Sequence, residues 1–139
     1  RTDGGDASKA RANAEDALTA HPDLAGMVGL WGYNPPACLE AVRAAGLIGK
    51  VQIIAFDESP KTLEGIDAGE IYGTVIQNPY QFGYDSMALL RELVLKGKSP
   101  NEAGIPENKI IHVATRVLRE GEGLNYKAQC DTWKASIAN

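Results

Sequence analysis

Asp57 is the residue whose type and position best suit chemistry. It follows an apolar run, residues 51–56, and precedes Ser59-Pro60, which is a signal for the start of a helix. Serine is a good N-cap, and proline suits the first helical position because its missing N–H would have no partner there. Capping therefore falls to Ser59. In open α/β sheets ligands bind at the carboxyl ends of the strands, so the pattern predicts that Asp57 is a ligand-binding carboxylate.

The same construction occurs three times along the chain. Residues 27–31, 51–56 and 73–76 are apolar runs, and each is followed by a polar or aromatic residue, a capping residue and a proline. If the three runs are parallel strands, their ends share one edge of a sheet. The residues expected at that edge are Trp31, Tyr33, Phe56, Asp57 and Gln77. Aromatic faces with a few hydrogen-bonding groups and no nucleophile–base pair suit a polar ring such as a sugar.

Other roles for these residues stay open at this stage. Trp31 and Tyr33 also fit the wall of a core, and Asn34, which precedes Pro35, fits a helix N-cap as well as a ligand contact. Asp57 could instead be a catalytic carboxylate or a phosphoacceptor like that of flavodoxin-like receivers. Those receivers also need acidic residues for Mg²⁺, for which only Asp3 or Asp6 is placed, and a lysine where Gln77 stands.

Composition and motifs narrow the class of protein. The 139 residues carry a net charge of −4 without a basic cluster, which argues against nucleic acid as a partner. The sequence contains no phosphate-binding glycine loop, paired-cysteine motif or zinc-protease motif, so we expect no catalytic residue, cofactor or metal.

We expect Cys38 and Cys130 to be buried free thiols. The abrupt start, in which residues 1–6 resemble a loop leading into a helix, suggests a fragment or a processed piece.

Hydrophobic spacing predicts alternating helices and strands. We expect helices over residues 6–20, 35–45, 60–68, 79–96 and 124–137, and strands over 26–31, 51–56, 71–77 and 109–114, with 115–119 continuing the last strand or bending away. This alternation predicts an α/β fold, with a mostly parallel sheet flanked by helices.

Several segments resemble a known family. Residues 20–24 (AHPDL), 54–60 (IAFDESP) and 69–79 (GEIYGTVIQNP), with the helix after them, resemble the carboxy-terminal part of type I periplasmic sugar-binding proteins. These are the ribose-binding-protein-like solute receptors of ABC importers, and their fold is shared by the effector domains of LacI-type repressors. The resemblance covers nearly the whole chain and implies a Rossmann-like lobe of three layers, helix on sheet on helix.

The resemblance also implies roles for individual residues. In that family the aspartate at the position of Asp57 bonds sugar hydroxyls, the phenylalanine at Phe56 lies against the ring, and a glutamine near the hinge, here Gln77, contacts the sugar. Ribose receptors have an asparagine where Trp31 stands. This departure points away from ribose and towards a cleft with an aromatic wall, in which Asn34 is a replacement donor.

At the level of the whole protein, the resemblance implies a substrate-binding component of an ABC-type sugar importer and not an enzyme. Residues 1–78 would form the core of a second lobe, 79–114 would pack on an absent amino-terminal lobe, and 115–139 would return to the second lobe. The implied partners are a small sugar, an ABC permease and the absent lobe. The implied location is periplasmic or extracytoplasmic, with or without a lipid anchor. The alternatives are a LacI-type effector domain and, less favoured, a flavodoxin-like receiver or enzyme.

Overall fold

The computed structural model describes residues 2–137, and it describes residue 137 by its backbone alone. The chain divides into two compact units, one formed by Arg1–Ile76 and Val117–Asn139 and the other by Gln77–Arg116. The elements in chain order are α1 (Ala7–Ala20), β1 (Gly26–Gly29), α2 (Asn34–Ala44), β2 (Gln52–Phe56), α3 (Pro60–Asp67), β3 (Gly73–Ile76), α4 (Pro79–Leu90), a π-helical turn (Arg91–Leu95), β4 (Arg116–Leu118) and α5 (Gly123–Ile137).

Within residues 2–137 the strands form one four-stranded sheet in the order β1-β2-β3-β4. β1 and β2 are parallel, with Gly26 opposite Gln52 and Gly29 opposite Ala55. β2 and β3 are also parallel, with Ile54 opposite Gly73. The predicted α/β fold with a mostly parallel sheet flanked by helices is therefore confirmed. The carboxyl ends of β1, β2 and β3 lie at one edge, as a ligand site at those ends requires.

The core of the first unit lies on one face of this sheet. Ile53 and Ala55 of β2 are fully buried against apolar residues of α1, α2 and α3, among them Leu18, Val42 and Ile66. Alternate residues of the strands point to the opposite face, where Val28 is 57% exposed and Ile54 is 41% exposed. A smaller cluster joins β3 and β4 to α3 and α5. Its members are Leu63, Ile76, Leu118 and Tyr126.

The predicted starts of α1 and α3 have the expected caps. The Asp6 carboxylate accepts hydrogen bonds from the backbone N–H groups of Ser8 (2.8 Å) and Lys9 (3.2 Å). The Ser59 Oγ accepts from the Thr62 N–H at 3.2 Å, so Ser59 caps α3 as predicted. Since each cap satisfies N–H groups that have no partner within the helix, the chain turns from strand or loop to helix at these residues.

Two strand predictions fail in detail. Residues 109–114 are not a strand, because the chain turns at Lys109, whose φ is 57° and whose N–H donates to the Pro106 carbonyl at 2.8 Å. The strand in this region is β4, which begins at Arg116. β1 ends at Gly29 and not at residue 31, because the Trp31 carbonyl accepts from the Asn34 N–H (2.7 Å) in a turn and cannot pair with β2.

The second unit is a helix followed by irregular chain. The predicted long helix is present as α4 and the π-helical turn, and its N-cap is Asn78, whose Oδ1 accepts from the Gln81 N–H at 3.0 Å. None of the residues 77–116 is buried. Among residues 2–137, no helix has both the length and the hydropathy of a membrane span.

Candidate functional site

The loop after β1 and the end of β2 meet at the carboxyl edge of the sheet. A Cβ placed on Gly32 would lie 3.6 Å from the Cβ of Asp57 and 3.7 Å from its Oδ2. The Asp57 carboxylate therefore lies beside the β1–α2 loop, which also carries Trp31, Tyr33 and Asn34. The parallel register of β1 and β2 causes this approach, because it brings the two strand ends to the same level.

The backbone of Asp57 is fixed by β3. Its N–H donates to the Val75 carbonyl at 3.0 Å, and its carbonyl accepts from the Thr74 Oγ1 at 2.7 Å. Its φ is 68°, a left-handed conformation that aspartate and asparagine tolerate better than most residues. Thr74 is buried, so this bond satisfies a hydroxyl that water cannot reach. The sheet thus holds the Asp57 backbone in a conformation that a regular strand would not adopt.

Trp31 and Asn34 are joined at the turn after β1. The Asn34 Oδ1 accepts from the Trp31 N–H at 3.0 Å, while the Asn34 N–H donates to the Trp31 carbonyl at 2.7 Å. Asn34 is the first residue of α2, and its side chain reaches back to Trp31 instead of forward into the helix. The alternative of a forward N-cap is therefore wrong. The Trp31 residue is 66% exposed and the Asn34 residue is half-buried, which leaves the indole open at the edge.

Asp3 is the polar residue at this edge that sequence reasoning did not assign to the ligand site. Its Oδ1 accepts from the Tyr33 hydroxyl at 2.6 Å and from the Gly5 N–H at 2.9 Å, and its Oδ2 accepts from the Asn34 Nδ2 at 2.8 Å. The Tyr33 hydroxyl holds the pKa of the Asp3 carboxyl below its usual value. In return the Asp3 carboxylate raises the pKa of the Tyr33 hydroxyl.

A sequence signal for this role of Asp3 exists in the Asp3-Gly4-Gly5 stretch. Asp often accepts a hydrogen bond from the backbone N–H two residues later, and here that N–H belongs to Gly5. Gly4 and Gly5 have φ values of 65° and 84°, which glycine adopts without strain. The turn was visible in the sequence, but its contact with Tyr33 and Asn34 was not, because these residues are distant along the chain.

The other predicted site residues lie as follows. Phe56 is half-buried and is the last residue of β2, directly before Asp57 and opposite Val75. Gln77 directly follows β3, is exposed, and is the first residue of the second unit. Glu58 follows Asp57. Burial is the main cause that raises the pKa of the Glu58 carboxyl, and the neighbouring charge of Asp57 raises it further. The fold of the first unit thus gathers Trp31, Tyr33, Asn34, Phe56 and Asp57 at adjacent strand ends.

This arrangement is suited to hydrogen bonding and stacking. In the described part of the chain, no three histidine, cysteine, aspartate or glutamate residues are grouped so that they could hold a metal ion. The Asp3 carboxylate, which the receiver alternative would use for Mg²⁺, accepts hydrogen bonds from Tyr33, Gly5 and Asn34. Cys38 and Cys130 are free thiols, as predicted, but they are half-buried and not fully buried. Burial raises the pKa of the Cys38 thiol.

Comparison with known proteins identifies the family. A family model described as a periplasmic binding protein domain matches residues 1–99. The chain belongs to the periplasmic binding protein family. Among curated proteins it is similar to the ribose import binding protein RbsB of Escherichia coli, with 31% identity over 86 residues. It is also similar to the D-allose-binding periplasmic protein of the same organism, with 32% identity over 72 residues.

These relatives are longer than this chain. The match to RbsB covers 60% of this chain and 28% of RbsB, and the match to the D-allose-binding protein covers 52% and 23%. Among solved structures, GanP, a glucose-galactose binding protein from Geobacillus stearothermophilus, superposes with a TM-score of 0.72 at 27% identity, over 83% of this chain and 38% of GanP. The match therefore spans well under half the length of each of these proteins.

Proposed function

We propose that this chain forms part of the substrate-binding component of an ABC-type sugar importer and contributes one side of a cleft for a monosaccharide. The observation that carries the proposal is the position of the Asp57 carboxylate beside Gly32, in the loop that also carries Trp31 and Tyr33, at the carboxyl edge of parallel strands. The family membership and the names of the relatives, which include ribose- and allose-binding proteins, support the same class of ligand.

In this proposal each residue has a physical role. Asp57 accepts hydrogen bonds from adjacent sugar hydroxyls, which are strong because the acceptor is charged. Trp31 and Phe56 offer apolar faces to the C–H groups of the ring, and Tyr33, Asn34 and Gln77 add polar contacts around it. None of these roles involves bond cleavage, so the proposed protein is a receptor and not an enzyme.

The remainder of the cleft belongs to an amino-terminal lobe in this proposal. Residues 79–114 pack on that lobe, and residues 115–139 return to the second lobe, whose core is residues 1–78. Hinge closure of the two lobes encloses the sugar before it is delivered to a permease. Such a receptor works outside the cytoplasm, in keeping with the periplasmic relative that binds D-allose.

Calorimetric titration of the full-length gene product that contains this chain tests the proposal. We expect one monosaccharide from a panel of ribose, allose, glucose, galactose, arabinose, xylose and fucose to bind at micromolar or lower concentration. We expect Asp57→Asn to weaken that binding, with Glu64→Gln on the exposed side of α3 as a charge-matched control. Absence of binding across the panel would count against a sugar receptor.

The importer role needs a separate experiment, because a LacI-type effector domain would bind the same class of ligand. In a strain that lacks the gene, uptake of the labelled sugar should fall. Normal uptake together with altered transcription of a sugar operon would instead favour the repressor alternative.

A further inference from the structure

We propose that Asp3 is a positioning residue of this site, which fixes Asn34 and Tyr33 directly and the backbone of Trp31 through Asn34. The inference rests on the proposed function, since it concerns how the ligand-facing loop is held. Asp3 lies before α1, whereas the residues that it orients lie after β1. Its carboxylate therefore joins two loops at the carboxyl edge of the sheet.

The Asn34 amide is the centre of this chain of hydrogen bonds. It has a donor end, Nδ2, and an acceptor end, Oδ1, and the two ends meet groups of opposite kind. Nδ2 donates to the Asp3 Oδ2 at 2.8 Å, and Oδ1 accepts from the Trp31 N–H at 3.0 Å. If the amide rotated by half a turn, its oxygen would face the Asp3 carboxylate and its NH₂ would face the Trp31 N–H. Asp3 therefore selects the one orientation in which Asn34 can hold Trp31.

The Tyr33 hydroxyl makes a second hydrogen bond between the β1–α2 loop and Asp3. It donates to the Asp3 Oδ1 at 2.6 Å, and the Gly5 N–H donates to the same oxygen at 2.9 Å. The Gly5 bond fixes the carboxylate relative to its own loop. Because the carboxylate is fixed, its bonds to Tyr33 and Asn34 restrain the β1–α2 loop and do not merely follow it. The Trp31 indole, 66% exposed, then projects from a turn whose backbone is already ordered before a ligand arrives.

An exchange of donor and acceptor between positions 3 and 34 tests this mechanism. Asp3→Asn places an NH₂ group against the Asn34 Nδ2, and Asn34→Asp places a carboxylate against the Asp3 Oδ2. The double variant D3N/N34D restores a donor facing an acceptor, keeps an acceptor for the Trp31 N–H, and has the net charge of the unsubstituted protein. Asp6→Asn is the matched control, because it removes a negative charge from the same loop but keeps the oxygen that caps α1.

Two quantities are measured on the full-length gene product that contains this chain. The first is the Kd for the monosaccharide that binds best, and the second is the hydrogen exchange rate of the Trp31 backbone amide without sugar. We expect each single variant to raise the Kd roughly tenfold and to speed Trp31 exchange by a similar factor, as the loss of one hydrogen-bond partner predicts. We expect the double variant to recover most of both, and Asp6→Asn to change neither.

Several outcomes would overturn the positioning role. One is a single variant that leaves both the Kd and the Trp31 exchange rate unchanged. Another is a double variant no better than the singles, since a side chain needed only for stability gains nothing from the exchange. If a single variant does not fold, the double variant alone tests the positioning role. The role then requires that the double variant folds and binds the sugar, and failure of either would overturn it. If the unsubstituted protein binds no monosaccharide, the proposed function fails, and Trp31 exchange across the same variants still decides the role of Asp3.

Discussion

Gly32, in the loop after β1, lies beside Asp57, which directly follows β2. A Cβ on Gly32 would be 3.6 Å from the Asp57 Cβ and 3.7 Å from Oδ2, which is ordinary van der Waals contact. Because glycine has no Cβ, the space beside the carboxylate is not filled by a side chain at position 32. In the proposed cleft, Asp57 would accept a hydrogen bond from a sugar hydroxyl and Gly32 would leave room for that hydroxyl.

Gly32→Ala should weaken sugar binding without loss of stability. The added methyl group fits without a clash but narrows the approach to Oδ2, so we expect a roughly tenfold higher Kd, about 1.4 kcal/mol. The melting temperature should stay equal or rise slightly, because alanine restricts the unfolded chain.

Gly29→Ala is the contrast variant. Its Cβ would lie 2.7 Å from the Pro35 nitrogen, so it should destabilise the fold by about 1–3 kcal/mol. Calorimetry and thermal unfolding of both variants check this, and unchanged sugar affinity in Gly32→Ala would remove Gly32 from the site.

Substitutions of Asp57 should separate the effect of losing the carboxylate on sugar binding from the effect of backbone strain on stability. The sequence alone predicts that Asp57→Ala changes binding and barely changes stability, but a φ of 68° makes alanine strained at this position, by about 1 kcal/mol. Asp57→Gly removes the carboxylate without that strain. We expect it to weaken sugar binding by about 2–4 kcal/mol, and Asp57→Asn to cost less because it keeps one acceptor. Titration calorimetry with urea unfolding of each variant measures both effects, and normal binding by Asp57→Gly would contradict the site assignment.

The ionisation of Asp3 should depend on Tyr33. Because the Tyr33 hydroxyl lowers the folded-state pKa of Asp3 below its ordinary value of 3.8, the ionised carboxylate stabilises the fold above that pH. This stabilisation is lost as the pH falls through the lowered pKa. Tyr33→Phe should therefore raise the pKa of Asp3 towards 3.8 and reduce the loss of stability in acid. Carbon-detected NMR titration of the carboxyl groups measures this, with Tyr72→Phe as control. An unchanged Asp3 titration in Tyr33→Phe would show that the hydrogen bond is not formed in solution.

Asp67 should be a major anchor of α5. Its Oδ1 accepts from the N–H groups of Gly121 and Gly123, both at 3.0 Å, and its Oδ2 accepts from the Leu124 N–H at 2.7 Å. A carboxylate at the start of a helix satisfies N–H groups that have no partner within the helix. Asp67→Ala should lower the free energy of unfolding by about 2 kcal/mol, whereas Glu64→Ala on the exposed side of α3 should lower it by less than about 0.5 kcal/mol. Urea unfolding measures both values, and equal effects would contradict the anchoring role.

The apolar surface of α4 and the turn after it should make this chain associate with itself. Met87 is 67% exposed and Val94 is 72% exposed, and apolar patches of this kind mark surfaces that contact another molecule. Met87→Glu with Val94→Glu should reduce both self-association in sedimentation velocity and binding of a fluorescent apolar dye. Ala88→Glu adds a charge to the same helix and serves as the control. A monomer at micromolar concentration that binds no dye would contradict this expectation.

Much of the first unit could be predicted from local signals in the sequence. Proline with a preceding capping residue marked the starts of α3 and α4, and β-branched apolar runs marked β2 and the neighbouring strands. These signals act between residues close in the chain, so they can be recognised without a structure. They failed at residues 109–114, because an alternating apolar pattern becomes a strand only where a neighbouring strand is available and the backbone stays extended.

Residue types and their order along the chain are enough to predict which residues stand at the strand ends. If the strands are parallel, they predict that Trp31, Tyr33, Phe56, Asp57 and Gln77 share one edge. The contacts among these residues, and with the loop before α1, depend on how the chain folds in three dimensions. Asp3 meets Tyr33 and Asn34, and Gly32 meets Asp57, because strand register and helix packing bring distant loops together. Hydrogen bonds and van der Waals contacts act over a few ångströms, so residue types and spacing could not specify these pairs.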